Sequence, residues 1–594
     1  MGFEGYWIGV ADAAGVFRWE GELPDTLKIH STGFMDWTGV LPASGDTVVL
    51  QPVVIDTGES ITVLASRGEL KRHVPSAGIL GSGELSTISL FGMERLNGSV
   101  PGVTVREYGG AVPVVSVSLR GSDPGRADYM VDGVSVVSPR DGMPTGVFDP
   151  AIFGSLEIAR GGGIPGGSGS GALNWLPPSG SSPASVTVSC FTHGAFGASA
   201  RFGRTGISAK RTVGVEGTEG FSASGVSTFA GSGFSGGILG GWAAGGTESP
   251  IWTVQGDGER SQAQVEGWVT ASEGSFELDL SGGTGYMAFT QTEPYQADDT
   301  HRDHTARVAG AWNGPVTVMA SLRGSRAIST ATGDNSLWAG SVNGILSGDR
   351  FSLHAGLEHD GGTPLFQGRA SVAGIPLSSM ITCHLSAFAS GRRPTLNDLY
   401  WPFDGTTTGN PDLREERTLG AEAGARWSGS SFTGETCLFL QSTEDLILWL
   451  PGEGGVWSPT NVSSTLSRGM ETSGSYSRGR FSLSASFTWN IAEDRTEGTP
   501  RYGMLLPYRP EYSWGAGILA PLPLNAELNA ALSGQGKRFT NRTQTEYIDE
   551  YWIMDMTLSR RVSGTMTASL CVSNLLDEGY FTGDGYPGRG RSMG

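Results

Sequence analysis

Residues 96–137 read LNGSVPGVTVREYGGAVPVVSVSLRGSDPGRADYMVDGVSVV, and residues 155–174 read SLEIARGGGIPGGSGSGALN. Short runs of β-branched residues alternate with Gly-rich turns, the pattern of a small sheet. Three signatures recur in fixed order: Leu119-Arg120-Gly121, Val131-Asp132-Gly133 and Glu157-Ile158-Ala159-Arg160-Gly161. Immediately before them, ISLFGMERLNGSVPGVTV (88–105) reads as a short helix running into a strand. Leu90, Met93 and Leu96 fall at helical spacing and Pro101 stops the helix.

Working outward, the composition is that of a turn-rich β-protein. Of 594 residues 93 are Gly, well above the usual ~7%. Charged residues make up 17% and the formal net charge is −19, which argues against a nucleic-acid partner, since that would call for a basic stripe. The four cysteines (Cys190, Cys383, Cys437, Cys571) form no CxxC or metal-type pair and sit in strand-like segments. No run of eighteen apolar residues exists, so no transmembrane helix is expected. Residues 1–10 lack the basic start and apolar run of a signal peptide, so an exported chain would begin upstream.

From about residue 182 onward the pattern becomes some twenty strand-like segments. Phe481, Leu483, Ala485, Phe487 and Trp489 alternate with polar neighbours. Trp552, Met554, Met556 and Leu558 do so against Asp555, Thr557 and Ser559. A soluble sandwich would also alternate. Three features favour a membrane barrel instead: the number of segments, aromatics near strand ends, and the edges that a sheet of this size would otherwise leave open. If Leu419, Ala421, Ala423 and Trp427 face outward, Glu422 and Arg426 face the lumen; Met470 and Tyr476 outward likewise places Glu471 inward.

These stretches resemble the TonB-dependent outer-membrane receptors. The resemblance implies an all-β dominated fold: a transmembrane antiparallel β-barrel of about 22 strands, filled by a small α/β plug domain. The plug is expected at 68–181 and the barrel at 182–594, about 19 residues per strand with its connection. Residues 172–178 (ALNWLPP) depart from the family's GGVINI-like passage at the crossover. Residues 1–54, with DxxGxF and PD turns, resemble the later part of a carboxypeptidase-regulatory-like β-sandwich, or else a simple hairpin extension. Residues 55–67 resemble the coupling segment called the TonB box, with Glu59, Ser60, Ile61, Thr62, Val63, Leu64 and Ala65 as its core. Such a strand could add to the edge of a partner's sheet; an ordinary linker strand is the other reading. Gly409-Asn410-Pro411-Asp412-Leu413-Arg414-Glu415-Glu416 resembles a loop-to-strand passage of the barrel. Residues 572–591 resemble the penultimate strand and last loop, so that one further strand is expected after Gly594.

The resemblance further implies a receptor and transporter rather than an enzyme, with no cofactor. Its partners would be a TonB-type energy-transducing protein, outer-membrane lipid and a small nutrient (an iron chelate such as a ferric siderophore, cobalamin or a saccharide). A passive porin-like or surface-binding barrel with a non-gated plug is the alternative. The plug motif residues are Arg120, Gly121, Asp132, Gly133, Glu157, Arg160 and Gly161. Family plug arginines pair with barrel glutamates, which places Arg120 and Arg160 against Glu422 and Glu471, as a lock or as hydrated lumen charges. For the ligand, Asp298, Asp299, His301, Asp303 and His304 form a chemically loaded stretch expected in a loop, and Tyr400, Trp401 and Phe403 offer stacking surfaces. The glycine run 161–171 has no Gly-Lys-Ser/Thr after it, and GFSGG at 233–237 lacks the strand-to-helix turn of a nucleophile elbow. Neither carries catalysis.

Overall fold

The computed structural model describes residues 74–594 except 165–166, 168, 181–183, 249–257, 293–296, 404–406, 452–455 and 564, plus four short strands nearer the N-terminus. Two compact units divide the chain, residues 1–61 and 62–594. In the first, the described strands form one antiparallel sheet in the order Tyr6–Trp7, Gly2–Phe3, Leu27–Ile29, Trp37–Gly39. The coupling stretch 59–65 lies outside the described residues.

The second unit begins with a five-stranded sheet, in the order Gly78–Gly81, Ser155–Arg160, Gly171–Leu176, Ala127–Val131, Val134–Ser135. Only the pairing of Gly171–Leu176 with Ala127–Val131 is parallel. A hairpin, Val103–Tyr108 with Val114–Leu119, packs beside it. The helix starts earlier than its periodicity suggested: it spans Ser82–Phe91, ends at Gly92, and continues as a 3-10 turn over Met93–Leu96. Leu85 and Ile88 therefore supply its buried face, with Leu96 from the following turn, whereas Leu90 does not. Between strands Ala127–Val131 and Val134–Ser135, Asp132 and Gly133 take positive φ (51° and 80°). That is the two-residue primed turn for which Asp-Gly is suited. Glu157 and Asn174 lie opposite each other; the Asn174 amide donates to Glu157 Oε2 at 2.9 Å and accepts from Gly133 N–H at 2.9 Å. Two signatures are thus fastened to one another inside the sheet.

The remainder is a 22-stranded antiparallel sheet running from Ser185–Cys190 to Ser592–Met593. The final described strand of this sheet, Ser592–Met593, pairs with Val572 and Ser573. The turn after the first strand meets it, Thr192 N–H donating to Met593 O at 2.7 Å. Connections alternate in length, with two-residue turns such as 203–204, 274–275 and 479–480 at one end. At the other end lie the long connections 393–415, 495–511, 536–550 and 574–591. Side-chain alternation divides the wall as period 2 requires: Leu419 is 67% exposed while Glu422 is 4% exposed. Leu483, Trp489, Trp552 and Leu570 are exposed, whereas Thr488, Asn490 and Asp555 are buried against the interior.

The small sheet occupies that interior, and two sides of the wall hold it differently. On strands 219–231, 234–247 and 258–273 the wall residues Val226, Leu239 and Trp268 join the plug's own apolar core. Gly206, on the neighbouring strand Thr205–Val213, shows why the wall carries glycine here: a Cβ there would lie 2.0 Å from the plug carbonyl of Ile152. The opposite side, strands 365–376 through 481–494, grips the plug with charge.

Candidate functional site

The Leu119-Arg120-Gly121 turn projects Arg120 from the plug into the charged wall. Arg120 and Gly121 both take positive φ, 49° and 75°, so the turn is tight and aims the side chain away from the sheet. The guanidinium makes a forked contact with Glu471, Nε to Oε1 and Nη2 to Oε2, both at 2.9 Å. Its Nη1 reaches Glu422 Oε2 at 2.7 Å. It also lies 4.6 Å from the Phe439 ring centroid and 3.6 Å from the Cys437 thiol. The Arg120 and Glu422 side chains have no solvent exposure.

Arg160, at the end of strand Ser155–Arg160, meets the other oxygen side of the cluster: its Nη1 is 3.1 Å from Glu471 Oε2. The four residues named from the sequence are brought together. A fifth was missed: Arg369, on strand Leu365–Pro376, places Nη1 2.9 Å from Glu422 Oε1 and donates Nε to Gly162 O at 3.1 Å. Ser386 Oγ and Ser76 Oγ complete the shell of Glu422 at 3.1 and 2.9 Å. Three arginines and two carboxylates, all buried, hold each other only while plug and wall are in register. Removing one partner from such a cluster is far costlier than the cluster's net contribution.

Towards the long-connection end lies a second ionic contact. Arg126 of the plug makes a forked pair with Glu416, Nε to Oε2 at 2.5 Å and Nη2 to Oε1 at 2.6 Å, and donates to Ile447 O at 3.0 Å. Asp123, two residues after Gly121, pairs with Arg126 and with Arg509 Nη2, the latter at 2.6 Å. Burial alone would raise the Asp123 carboxyl, but the Arg509 and Arg126 guanidinium groups hold it well below the usual carboxylate range. Arg392 links Glu416 (3.3 Å) to Asp398 (3.2 Å) on the short helix Leu396–Tyr400. The first two amides of that helix donate to plug carbonyls, Leu396 to Pro139 at 3.2 Å and Asn397 to Arg140 at 2.9 Å. Helix-start amides need external acceptors, and here the plug supplies them. Residues 393–403, the start of that connection, are therefore folded inward onto the plug.

Alternation would have found Glu416, which shares the inward parity of Glu422 on strand Glu416–Ser428. Arg126 carried no such signal, since it lies in a 3-10 turn.

The ligand candidates separate. Asp298, Asp299, His301, Asp303 and His304 are not in a loop: they belong to strand Ala297–Asn313. Strand pleating puts Asp298 and His304 on one face and Asp299, His301 and Asp303 on the other, so the five cannot form one site. His301 and Asp303 are buried and Asp298 and His304 exposed. Asp303 accepts from plug Ser138 (2.6 Å) and Thr145 (3.0 Å) instead, a docking contact. Among the described residues no group of three or more His, Cys, Asp or Glu is placed to hold a metal. Tyr400 and Phe403 remain exposed at the inward-folded connection, with Trp401 half-buried.

Where the plug helix meets the wall, a cavity of about 310 Å³ is lined by Glu94, Glu107, Lys210, Tyr580 and Arg589 among others. Burial and the neighbouring Glu107 carboxylate push Glu94 up to about 8, against 4.5 for a free side chain. The folded state therefore binds a proton that the unfolded state has released. Stability is full below 4.5 and falls as pH rises from there towards 8. Thermal unfolding at pH 5 to 8 is expected to show a midpoint that drops with pH, with a shallower slope in Glu94→Gln. An unchanged slope in that variant would exclude the assignment.

A 22-stranded antiparallel wall with a separately folded sheet buried in its interior defines a plugged β-barrel. The TonB-dependent receptor-like β-barrel model matches residues 163–575, and the TonB-dependent receptor plug-domain model matches 92–174. The chain belongs to the TonB-dependent receptor family, whose barrels reside in the outer membrane of Gram-negative bacteria. Among curated relatives, the vitamin B12 transporter of Vibrio vulnificus is 27% identical over 226 residues, 37% of this chain and 35% of that protein. That of Photobacterium profundum is 23% identical over 220 residues, 36% of this chain and 35% of its own length. The matched region thus spans about a third of these relatives. Solved structures with the same fold include the ferric yersiniabactin uptake receptor of Yersinia pestis (14% identity, TM-score 0.67, covering 88% of this chain and 96% of that one). The ferric enterobactin receptor of Pseudomonas aeruginosa gives 13% identity and TM-score 0.69, covering 88% and 99%.

Proposed function

We propose that this protein is an energy-coupled importer. It captures a scarce nutrient at the long-connection end of the barrel and passes it to the periplasm when a TonB-type partner pulls on residues 59–65. The observation that carries the reading is the buried cluster of Arg120, Arg160, Arg369, Glu422 and Glu471. A stopper fastened by desolvated, mutually satisfied charges does not yield to a ligand diffusing past it. Opening it takes work delivered from elsewhere. Cobalamin is the first ligand to test, because both curated relatives named above are vitamin B12 transporters; ferric siderophores follow, from the structural neighbours. No step needs covalent chemistry, and the protein is read as a transporter rather than an enzyme.

Deleting residues 59–65 in cells that depend on this protein for radiolabelled cobalamin or ferric siderophore is the test. Surface binding is expected to persist while accumulation drops to background. Accumulation that survives the deletion would establish a passive barrel with a non-gated plug.

A further inference from the structure

Residues 74–77 lie against the ionic cluster. Val74 is fully buried and Ala77 nearly so. The Ala77 amide donates to Val74 O at 2.9 Å, closing a tight turn. At its middle, Ser76 Oγ donates to Glu422 Oε2 at 2.9 Å, the same oxygen that Arg120 Nη1 holds. Arg160, whose other nitrogen faces Glu471, donates Nη2 to Ser76 O. Arg426 of the wall, itself paired with Glu435 at 2.6 Å, donates Nη2 to Pro75 O. Beyond the turn, Gly78–Gly81 is, among the described residues, an edge strand paired with Ser155–Arg160.

We infer that Ser76 is the trigger of the plug: tension on the chain before Val74 is delivered directly into the Arg120–Glu422–Arg160 cluster through Pro75 and Ser76. This rests on the energy-coupled reading above and specifies how the pull reaches the lock. The mechanical order follows from connectivity. A load applied upstream of Val74 meets Pro75 and Ser76 before any strand of the plug sheet. Withdrawing Ser76 takes one donor from Glu422, which holds Arg120, and the acceptor from Arg160 Nη2, which shares Glu471 with Arg120, so both carboxylates of the cluster are affected in one step. The edge strand can then peel from Ser155–Arg160, while the central strands stay paired. Ser76 is a positioning residue, acting through Glu422 and Arg160; it need never touch the nutrient.

The test is single-molecule extension of the full chain in a lipid bilayer, pulled from its N-terminus, with no ligand or partner present. At matched load, Ser76→Ala is expected to release the first segment about tenfold faster, the scale of losing one hydrogen bond to a charged group. Ser76→Thr, which keeps the hydroxyl, should release at the wild-type rate. In a Glu422→Gln background the effect of Ser76→Ala should shrink to less than about twofold, because the charged acceptor is gone. Arg426→Gln should accelerate the same event, which keeps the inference testable if Ser76→Ala folds poorly. Release rates indifferent to Ser76, or effects of Ser76→Ala and Glu422→Gln that simply multiply, would overturn it. The transport reading stands or falls separately: uptake that survives loss of residues 59–65 would remove it and leave these rates untouched.

Discussion

Arg120→Ala is expected to unseat the plug. The substitution leaves Glu471 with Arg160 and Glu422 with Arg369, so neither carboxylate is bare, but the bridge between them is gone. Breaking a buried pair on one side costs about 3–5 kcal/mol. With the remaining arginines in place the lower end applies, about 3 kcal/mol, or roughly a hundredfold in the population of the loosened state. Cys437 is a built-in reporter, because its thiol is buried against the Arg120 guanidinium. In a chain whose Cys190, Cys383 and Cys571 are replaced by serine, a thiol reagent should label Cys437 roughly a hundredfold faster in Arg120→Ala than in its parent. Arg120→Lys should fall between, since an ammonium keeps the charge but loses the fork to Glu471. Labelling at the parental rate in Arg120→Ala would show that the cluster does not hold the plug.

Arg126→Ala should act at the other end and on a different element. Glu416 would keep Arg392 and the Ile447 amide, while Asp123 would keep Arg509. The loss is that of a forked, buried pair, on the order of 3 kcal/mol, and it falls on the region where connection 393–415 docks. The amides of Leu396 and Asn397, which donate to Pro139 and Arg140, report that docking. Hydrogen exchange at those two amides is expected to accelerate about tenfold or more, while strand Glu416–Ser428 beyond Thr418 stays protected. Exchange unchanged at Leu396 and Asn397 would mean that the connection is held independently of the plug. Mild acid is not expected to mimic the mutation. The depressed Asp123 carboxyl contributes stability that is present above its free value of 3.8 and is lost only as pH falls through its lower folded value.

The two contacts together describe a plug seated asymmetrically. One side is built on the apolar wall residues Val226, Leu239 and Trp268, which join the plug core. The ionic side is made of a few discrete partners, so it can open in steps.

Much of this was legible in the chain alone because it depends on local chemistry. The Asp132-Gly133 turn is readable since only a few residues tolerate positive φ at adjacent positions. The facing of Glu422 and Glu471 is readable since strand alternation has a period of two and a carboxylate towards lipid is costly. The periodicity of Leu90, Met93 and Leu96 misplaces the helix boundary because it continues across Gly92, where the backbone changes to a 3-10 turn. The polar run around His301 and Asp303 resembles a loop as long as its partner strands are unknown. In the fold, strand Phe276–Gln291 and strand Thr317–Ser329 pair with that run on either side and make it wall.

By itself, then, the sequence determined the class of fold and the presence of a separate plug through motifs that resemble a known family, and the inward facing of Glu422, Arg426 and Glu471 through strand period and the cost of turning a charge to lipid. Only the tertiary structure decided which of those charges meet. Arg369, Ser76 and Arg426 join the first cluster, and Arg126, Asp123, Glu416 and Arg509 form the second. These partners lie up to 386 residues apart in the chain, and no local preference links them. Their pairing is set by the register of the wall strands and the depth at which the plug sits.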